Sequence, residues 1–349
     1  MPAKLRLHAA SATAVFLAVI LVLAVVLAPT SAPATFGGKN GRISFNGAIP
    51  GTCCSEIFTA KRNGDEPRRL TFTPGRSDSE LPDWLPQGQE IAFDSNRTDV
   101  DGRKDVAQVY SKNADGGGLT QLTRGPGQQA NPAWSPNGSR LAIRADWGGG
   151  HALQGIWIIP ASDPDGVTQE EAQRLTRIPT GVDFDSEPQF SPDGTSVAFS
   201  RFKGPSTSAI FRIGIDGKGR KRLTPWRMNA SNPDWSPNGH RIAFDSGDAG
   251  QPGSKGDIYV MRADGSARRR LTDFPRIREG GGIIEANNPV WSPSGTRIMF
   301  THFFSHLHEP NKGNALVRMW PDGSHKHVVV GGRFGRRHFP NKVDWGTHP

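Results

Sequence analysis

Cysteine is almost absent from this chain of 349 residues, which contains only Cys53 and Cys54. Because the two are adjacent, the intrachain disulfide open to them is a strained vicinal one. A redox centre would be expected to space its cysteines as Cys-x-x-Cys, which this sequence lacks. Free thiols and an intermolecular bridge are the alternatives. We interpret Cys53 and Cys54 as a structural disulfide that clamps a loop.

Long apolar runs are also scarce, and the one at residues 15–28 lies near the N-terminus. It follows Lys4 and Arg6 and precedes the small residues Ala32 and Ala34, which is the pattern of a secretory signal peptide. A transmembrane helix needs about 20 apolar residues, so the run is short for a membrane span. We therefore predict a signal peptide at residues 1–34 and a mature domain at residues 35–349, with an uncleaved membrane anchor as the alternative.

The chain has a formal net charge of +9, and the predicted mature domain remains basic. Export argues against a nucleic acid partner, whereas a positive charge permits attraction to anionic polymers or lipids of the cell envelope. Solubility alone would explain the charge equally well. The expected location is the periplasm, the cell envelope or the medium.

Glycine and proline are abundant, with 42 and 28 residues, and they punctuate an internal repeat. The segment NPAWSPNGSRLAI at residues 131–143 returns in related form at residues 81, 187, 232 and 288. Its Ser-Pro-Asn/Asp-Gly core is typical of a type I turn, and the alternating apolar residues that follow predict a strand. Each copy therefore begins with a strand, a tight turn and a second strand.

The two ends of the chain carry complementary parts of one repeat. The segment from residue 39 matches a repeat from its turn onward, and residues 341–346 match only the missing first strand. Aromatic anchors recur about every 50 residues, which is typical of propeller blades; they are Trp84, Trp134, Phe190, Trp235, Trp291 and Trp345. The sequence predicts an all-β, six-bladed β-propeller of four-stranded antiparallel blades, closed by a blade that the two termini share.

The repeated WSPDG, IAF, IYVMNADG and LT signature resembles the C-terminal propeller of the TolB-like family. The resemblance covers nearly all of the predicted mature chain and implies a β-propeller that engages partners at its channel face. The α/β domain that precedes the TolB propeller has no counterpart in this sequence, so the resemblance does not extend to a translocation role.

Residues just before the first strand of each blade are expected at one mouth of the central channel, where a ring of polar side chains would form a binding site. The positions are all polar or charged, namely Glu80, Asn131, Glu187, Asn232, Asn288 and Lys342. Proline follows four of them and should hold the preceding residue extended. Water filling of the channel is the alternative role for these residues.

Catalytic motifs are few. The Gly-x-Ser-x-Gly nucleophile elbow of α/β-hydrolases does not occur, which argues against a peptidase. His302, His306 and His308 lie close together in a predicted loop and could supply part of a metal site, although their spacing matches no established zinc pattern. Oligogalacturonate lyases are TolB-like propellers with a histidine-bound metal, so the resemblance leaves an enzyme open.

We predict a monomeric, non-catalytic binding or scaffolding propeller without a cofactor, whose partner is an envelope protein, a peptide or a glycan. The alternative is a metal-assisted polysaccharide lyase or hydrolase that uses the three histidines. In that case a divalent metal would be the cofactor. Contact with a membrane is expected only if the N-terminal segment is retained.

Overall fold

The repeats fold as antiparallel meanders of four strands. The structure, a computed structural model, describes residues 38–48, 54–99, 101–103, 105–163, 165–204, 207–247, 256–273, 283–305, 314–331 and 340–347. Within these ranges the regular structure is β-sheet, apart from two short 3₁₀ turns at Gly150–Ala152 and Trp226–Met228. No helix in the described residues has the length and apolar character needed to cross a bilayer.

Numbered along the chain, the strands fall into successive groups of similar order. The first group is β1 (Asn40–Ala48), β2 (Ser55–Ala60) and β3 (Arg68–Arg69); the second is β4 (Ser79–Trp84), β5 (Glu90–Ser95), β6 (Gln108–Asn113) and β7 (Thr120–Gln121). The third is β8 (Gln129–Trp134), β9 (Arg140–Ala145), β10 (Gly155–Pro160) and β11 (Gln173–Arg174). The fourth is β12 (Phe184–Phe190), β13 (Ser196–Phe202), β14 (Ser208–Gly214) and β15 (Lys221–Arg222).

The remaining strands form two more meanders and the closing strand. They are β16 (Ala230–Trp235), β17 (Arg241–Gly247), β18 (Gly256–Arg262) and β19 (Arg269–Arg270), then β20 (Ile283–Trp291), β21 (Ile298–Ser305), β22 (Ala315–Met319) and β23 (His327–Val330). The last strand is β24 (Pro340–Thr347).

Six separate blades were expected, and the sheet count differs from that expectation. Four sheets have four strands each, whereas β16 to β23 form one sheet of eight strands. The physical reason is a single parallel bridge between Gly256 of β18 and Glu285 of β20, which joins two meanders at one point. Each half of this sheet keeps the antiparallel order of the other meanders. The all-β propeller of four-stranded antiparallel blades is confirmed.

The termini share one sheet. Strand β24 pairs antiparallel with β1, placing Ile43 opposite Trp345 and Phe45 opposite Val343. The sheet order is β24-β1-β2-β3, so the last strand of the chain occupies the innermost position of the first sheet. The antiparallel pairing expected between the two ends is therefore confirmed.

The core combines aliphatic side chains with aromatic pairs across the second and third strands. Phe45, Phe93, Phe199, Phe244 and Phe300 are fully buried. Four of them stack on the aromatic residue opposite in register, with ring centroids 5.5–6.1 Å apart: Phe58, Tyr110, Phe211 and Tyr259. Such cross-strand pairs stabilise a sheet beyond the area they bury.

The Leu-Thr motif explains why most outer strands are only two residues long. Its leucine is buried, and its threonine hydroxyl accepts the backbone N–H that a longer strand would have paired. In the first sheet the Thr71 hydroxyl accepts the N–H of Ile57 at 2.9 Å. Four further sheet units repeat this bond through Thr123, Thr176, Thr224 and Thr272. A side chain thus satisfies the buried donor where the outer strand ends.

Candidate functional site: the axial channel

The polar residues predicted at the channel mouth lie inside the innermost strands, not before them. Asn131, Glu187, Asn232 and Asn288 each occupy an irregular step of β8, β12, β16 or β20, where the register shifts against the neighbouring strand. Their backbone φ angles are between 49° and 55°, in the left-handed region. The expectation that proline holds them extended is wrong, because each begins a β-bulge that turns the chain locally.

Glu80 lies one residue before the position that corresponds to the other predicted residues. In the second sheet the left-handed residue is Leu81, with φ 53°, and the bulge spans Glu80 to Asp83. The repeat itself aligns Leu81 with Asn131, so the choice of Glu80 for this position was wrong by one residue. The carboxylate of Glu80 accepts a hydrogen bond from Asn46 at 3.5 Å, and burial raises its pKa.

A ring of aspartates was missed by the sequence reasoning. Asp83, Asp234 and Asp344 each directly precede an anchoring tryptophan and accept the backbone N–H of the anchor in the next sheet unit. Asp344 binds Trp84 at 2.6 Å, Asp83 binds Trp134 at 2.7 Å, and Asp234 binds Trp291 at 2.6 Å. The sequence signal for this ring is the Asp-Trp pair, which occurs at three of the six anchors. These carboxyls fasten adjacent units around the axis.

The same three carboxyls line the channel, and protein surrounds them closely. Desolvation raises the pKa of Asp234 to about 8 and that of Asp344 to about 6. The pKa of Asp83 is raised well above its usual value, first by desolvation and then by the charge of Asp344. The positive charge of Lys342 opposes all three shifts. Part of this ring is therefore protonated near neutral pH.

A second tier of carboxyls holds the bulges. Asp94, Glu187 and Asp245 accept the backbone N–H of Asn131, Asn232 and Asn288, at 3.3, 2.8 and 3.0 Å. Desolvation raises the pKa values of Asp94 and Asp245 to about 7. Two of the predicted mouth residues thus take part in one bond, since Glu187 accepts from Asn232. Glu187 and Asn232 therefore stabilise the bulge and also line the channel.

The channel contains two adjoining cavities that have five lining residues in common. One reaches the tryptophan anchors and the turn prolines, and the other reaches the bulges and Lys342. Both are lined by Asp83, Gln189, Asp234, Val290 and Asp344. The second cavity brings together Glu187, Asn232, Asn288 and Lys342 but not Glu80 or Asn131. Four of the six predicted mouth residues therefore line one cavity.

Indole N–H groups add donors to the first cavity. The anchors Trp84, Trp235, Trp291 and Trp345 line it, and their buried Nε1 atoms make no hydrogen bond to the described residues. The residues that line this cavity thus include the carboxyls of Asp83, Asp234 and Asp344 and four tryptophan rings.

The structure places His302 in a strand, whereas the sequence analysis predicted a loop. His302 lies within strand β21, opposite Ala286 and Ala315, and not in a loop. It is buried, and desolvation lowers its pKa to about 4. His306 and His308 lie outside the described residues. Within the described ranges, no group of three or more histidine, cysteine, aspartate or glutamate side chains is arranged to hold a metal ion.

The structure describes one of the two cysteines of the predicted disulfide. Cys54 is buried, and its Sγ lies 4.0 Å from the carbonyl oxygen of Gly75 as a thiol donor. Cys53 lies outside the described residues. The vicinal disulfide stays a prediction.

Comparison with known proteins supports the assignment of the repeats. The model of the TolB beta propeller domain matches residues 167–315. A TolB homologue of Chlorobium luteolum is 27% identical over 219 residues, which cover 62% of this chain and 46% of that protein. The solved TolB of Acinetobacter baumannii superimposes with a TM-score of 0.66 at 20% identity, covering 94% of this chain and 71% of that one.

The chain is similar to TolB-like β-propellers over most of its length. A putative TolB of Agrobacterium tumefaciens has the same fold, with a TM-score of 0.59 at 21% identity over 90% of this chain and 99% of that one. An uncharacterized peptidase of Bacillus subtilis, YuxL, is 32% identical over 124 residues, which cover 33% of this chain. The chain spans 17% of that peptidase and less than half of the Chlorobium protein. The channel is a concave feature of this propeller, and ligands usually bind in concavities.

Proposed function

We propose that this TolB-like protein is an exported binding or scaffolding propeller that engages an envelope protein, peptide or glycan at its axial channel. The observation that carries the proposal is the channel itself, where the carboxyls of Asp83, Asp234 and Asp344 line two adjoining cavities and Lys342 lines one of them. Polar groups that converge in a concavity are the usual mark of a binding site. Counting the eight-stranded sheet as two blades gives the six-bladed propeller of this proposal.

Export is the second part of the proposal. We propose that residues 1–34 are removed as a signal peptide and that residues 35–349 act in the periplasm, the cell envelope or the medium. Mass spectrometry of the protein isolated from its native host, together with fractionation of the cells, tests both statements. A mature N-terminus at Met1 with the protein in the cytoplasm would contradict them.

Site-specific crosslinking tests the channel. A photo-crosslinking amino acid at Asn288, which lines the bulge-side cavity, should capture the partner in native extracts. The same group at Asp115, in an exposed turn, serves as the control. Lys342→Glu should then weaken capture at position 288, because it reverses the one lysine charge of that cavity. Equal capture at positions 115 and 288 would move the site away from the channel.

The alternative of a metal-assisted polysaccharide lyase or hydrolase depends on His306 and His308, outside the described residues, together with the buried His302. It stays a prediction. Metal analysis of protein purified without chelators, compared with a His302→Ala, His306→Ala and His308→Ala variant, checks it, together with turnover of an acidic glycan.

A further inference from the structure

The outer strands of two neighbouring meanders carry a dense group of exposed cations. Lys218, Arg220, Lys221 and Arg222 lie in or just before β15, and Arg268, Arg269 and Arg270 lie in or just before β19. We refer to these seven residues as the basic rim. It lies on the outermost strands, whereas the channel is lined by the innermost strands, so the two surfaces belong to different parts of each sheet.

Direct hydrogen bonds join the two halves of the basic rim. The Lys221 ammonium donates to the carbonyl oxygen of Asp264 at 3.0 Å, and the Arg268 guanidinium donates to that of Leu223 at 3.1 Å. Arg269 extends the contact to the next meander, donating to the carbonyl oxygens of Pro321 and Asp322. The cations therefore form one continuous surface.

Acidic side chains of the described residues leave most of this charge uncompensated. Arg270 pairs with Asp257 and Asp273, but no other member of the basic rim forms an ion pair with a described residue. Hydrogen bonds from the Ser266 hydroxyl and N–H lower the pKa of the nearby Asp264, and the charges of Lys221 and Arg262 lower it further. Three carboxylates therefore face seven cations, and the basic rim keeps an excess of positive charge.

An aromatic residue adjoins the fourth-sheet half of the basic rim. Trp226 is partly exposed, with the Lys203 ammonium 4.6 Å and the Arg222 guanidinium 5.8 Å from its ring centroid. Its ring also contacts Phe211 at 5.7 Å. Cation–π contacts of this kind hold flexible cationic side chains in place.

The fold itself does not require cations at these positions. The corresponding outer strand of the second sheet is Thr120–Gln121, which has no charge and pairs with β6 in the same antiparallel way. Positive charge on an outer strand also protects its edge from pairing with another chain. Edge protection alone does not explain seven cations on two adjacent meanders, because the outer strands of the first and third sheets contain two and one, Arg68 and Arg69, and Arg174.

We propose that the basic rim binds a linear acidic polysaccharide, one that carries carboxylates along its chain. The outer strands of successive propeller blades face outward from the axis, so their surface is convex. A flexible polymer can follow a convex basic surface, whereas a flat bilayer would meet it along a narrow contact. Binding of a polyanion releases its counterions and is therefore strongly weakened by salt.

The experiment measures binding of residues 35–349 to polygalacturonate, with neutral dextran as the uncharged probe. The rim variant carries Lys218→Ser, Arg220→Ser and Arg222→Ser, which avoid the cations that join neighbouring meanders. The matched control carries Arg76→Ser, Arg140→Ser and Arg177→Ser, three exposed cations elsewhere on the propeller. We expect the rim variant to bind on the order of tenfold more weakly, with a shallower salt dependence, and the control to bind as the parent does.

Thermal melting shows whether the rim variant is folded, and Arg220→Glu alone repeats the test if the triple variant melts early. Equal losses in the rim and control variants would overturn the proposal, because binding would then follow net charge alone. Failure of the parent protein to bind polygalacturonate would overturn it too. Stronger binding to anionic vesicles or duplex DNA than to polygalacturonate would also overturn it. Channel crosslinking at position 288 is a separate measurement and is unaffected by these outcomes.

Discussion

The carboxylate of Asp344 accepts the backbone N–H of Trp84 at 2.6 Å, although the two residues are 260 positions apart. This bond ties the closing strand β24 to the first strand of the second sheet. Asp344→Ala leaves the Trp84 donor unsatisfied and should lower the free energy of unfolding by about 1–3 kcal/mol. Asp344→Asn keeps an acceptor and should cost less; both are measured by urea unfolding. Equal stability of the Ala variant and the parent would contradict this role.

Removal of β24 should destabilise the whole propeller. A chain that ends at residue 339 lacks the innermost strand of the first sheet and exposes the buried Ile43 and Phe45. We expect one cooperative transition at a clearly lower melting temperature, because closure couples the sheets. A chain that ends at Thr347 keeps β24 intact and is the control. An unchanged melting temperature after the longer truncation would disprove the shared sheet.

Stability should decrease as the pH rises from about 4 to about 8. The folded pKa values of Asp234, Asp245 and Asp344 are about 8, 7 and 6, above the ordinary value of 3.8, so the folded state binds extra protons in this window. Their contribution is complete below the ordinary pKa and is lost as the pH passes the folded pKa.

Asp234→Asn tests the sign of this dependence. It should flatten the decrease between about pH 6 and pH 8, measured by urea unfolding at several pH values. Asp264→Asn is the control, since its hydrogen bonds lower the pKa of that exposed carboxyl and leave it ionised throughout the window. A decrease of the same slope in the Asp234 variant would refute the assignment.

The bulge of the second sheet is strained by its side chain. Leu81 has a φ of 53°, a conformation that asparagine tolerates better than leucine and that asparagine occupies at position 131. Leu81 is only partly buried, so Leu81→Asn should raise the free energy of unfolding by about 0.5–1 kcal/mol. The reverse change, Asn131→Leu, should lower it. Thermal melting of both variants checks the pair, and a lower melting temperature for Leu81→Asn or a higher one for Asn131→Leu would exclude this explanation.

Much of the fold could be predicted from the sequence because the signals are local and repeated. The Ser-Pro-Asn/Asp-Gly turns, the alternating apolar strands and the Leu-Thr ends each depend on neighbouring residues. The complementary ends of the chain also determined which strands meet, and β24 pairs with β1 as they indicate. Repetition let weak local signals support one another.

The tertiary structure decided the site, because its contacts join residues far apart in the chain. The channel carboxyls acquire their shifted pKa values from burial and from one another, which no single repeat encodes. The left-handed bulges overrode the usual effect of proline on the preceding residue, since carboxylates of the adjacent unit bind their N–H groups. His302 likewise became a buried strand residue through pairing on both sides. The sequence determined the repeating unit, and packing around the axis determined what the units present to a ligand.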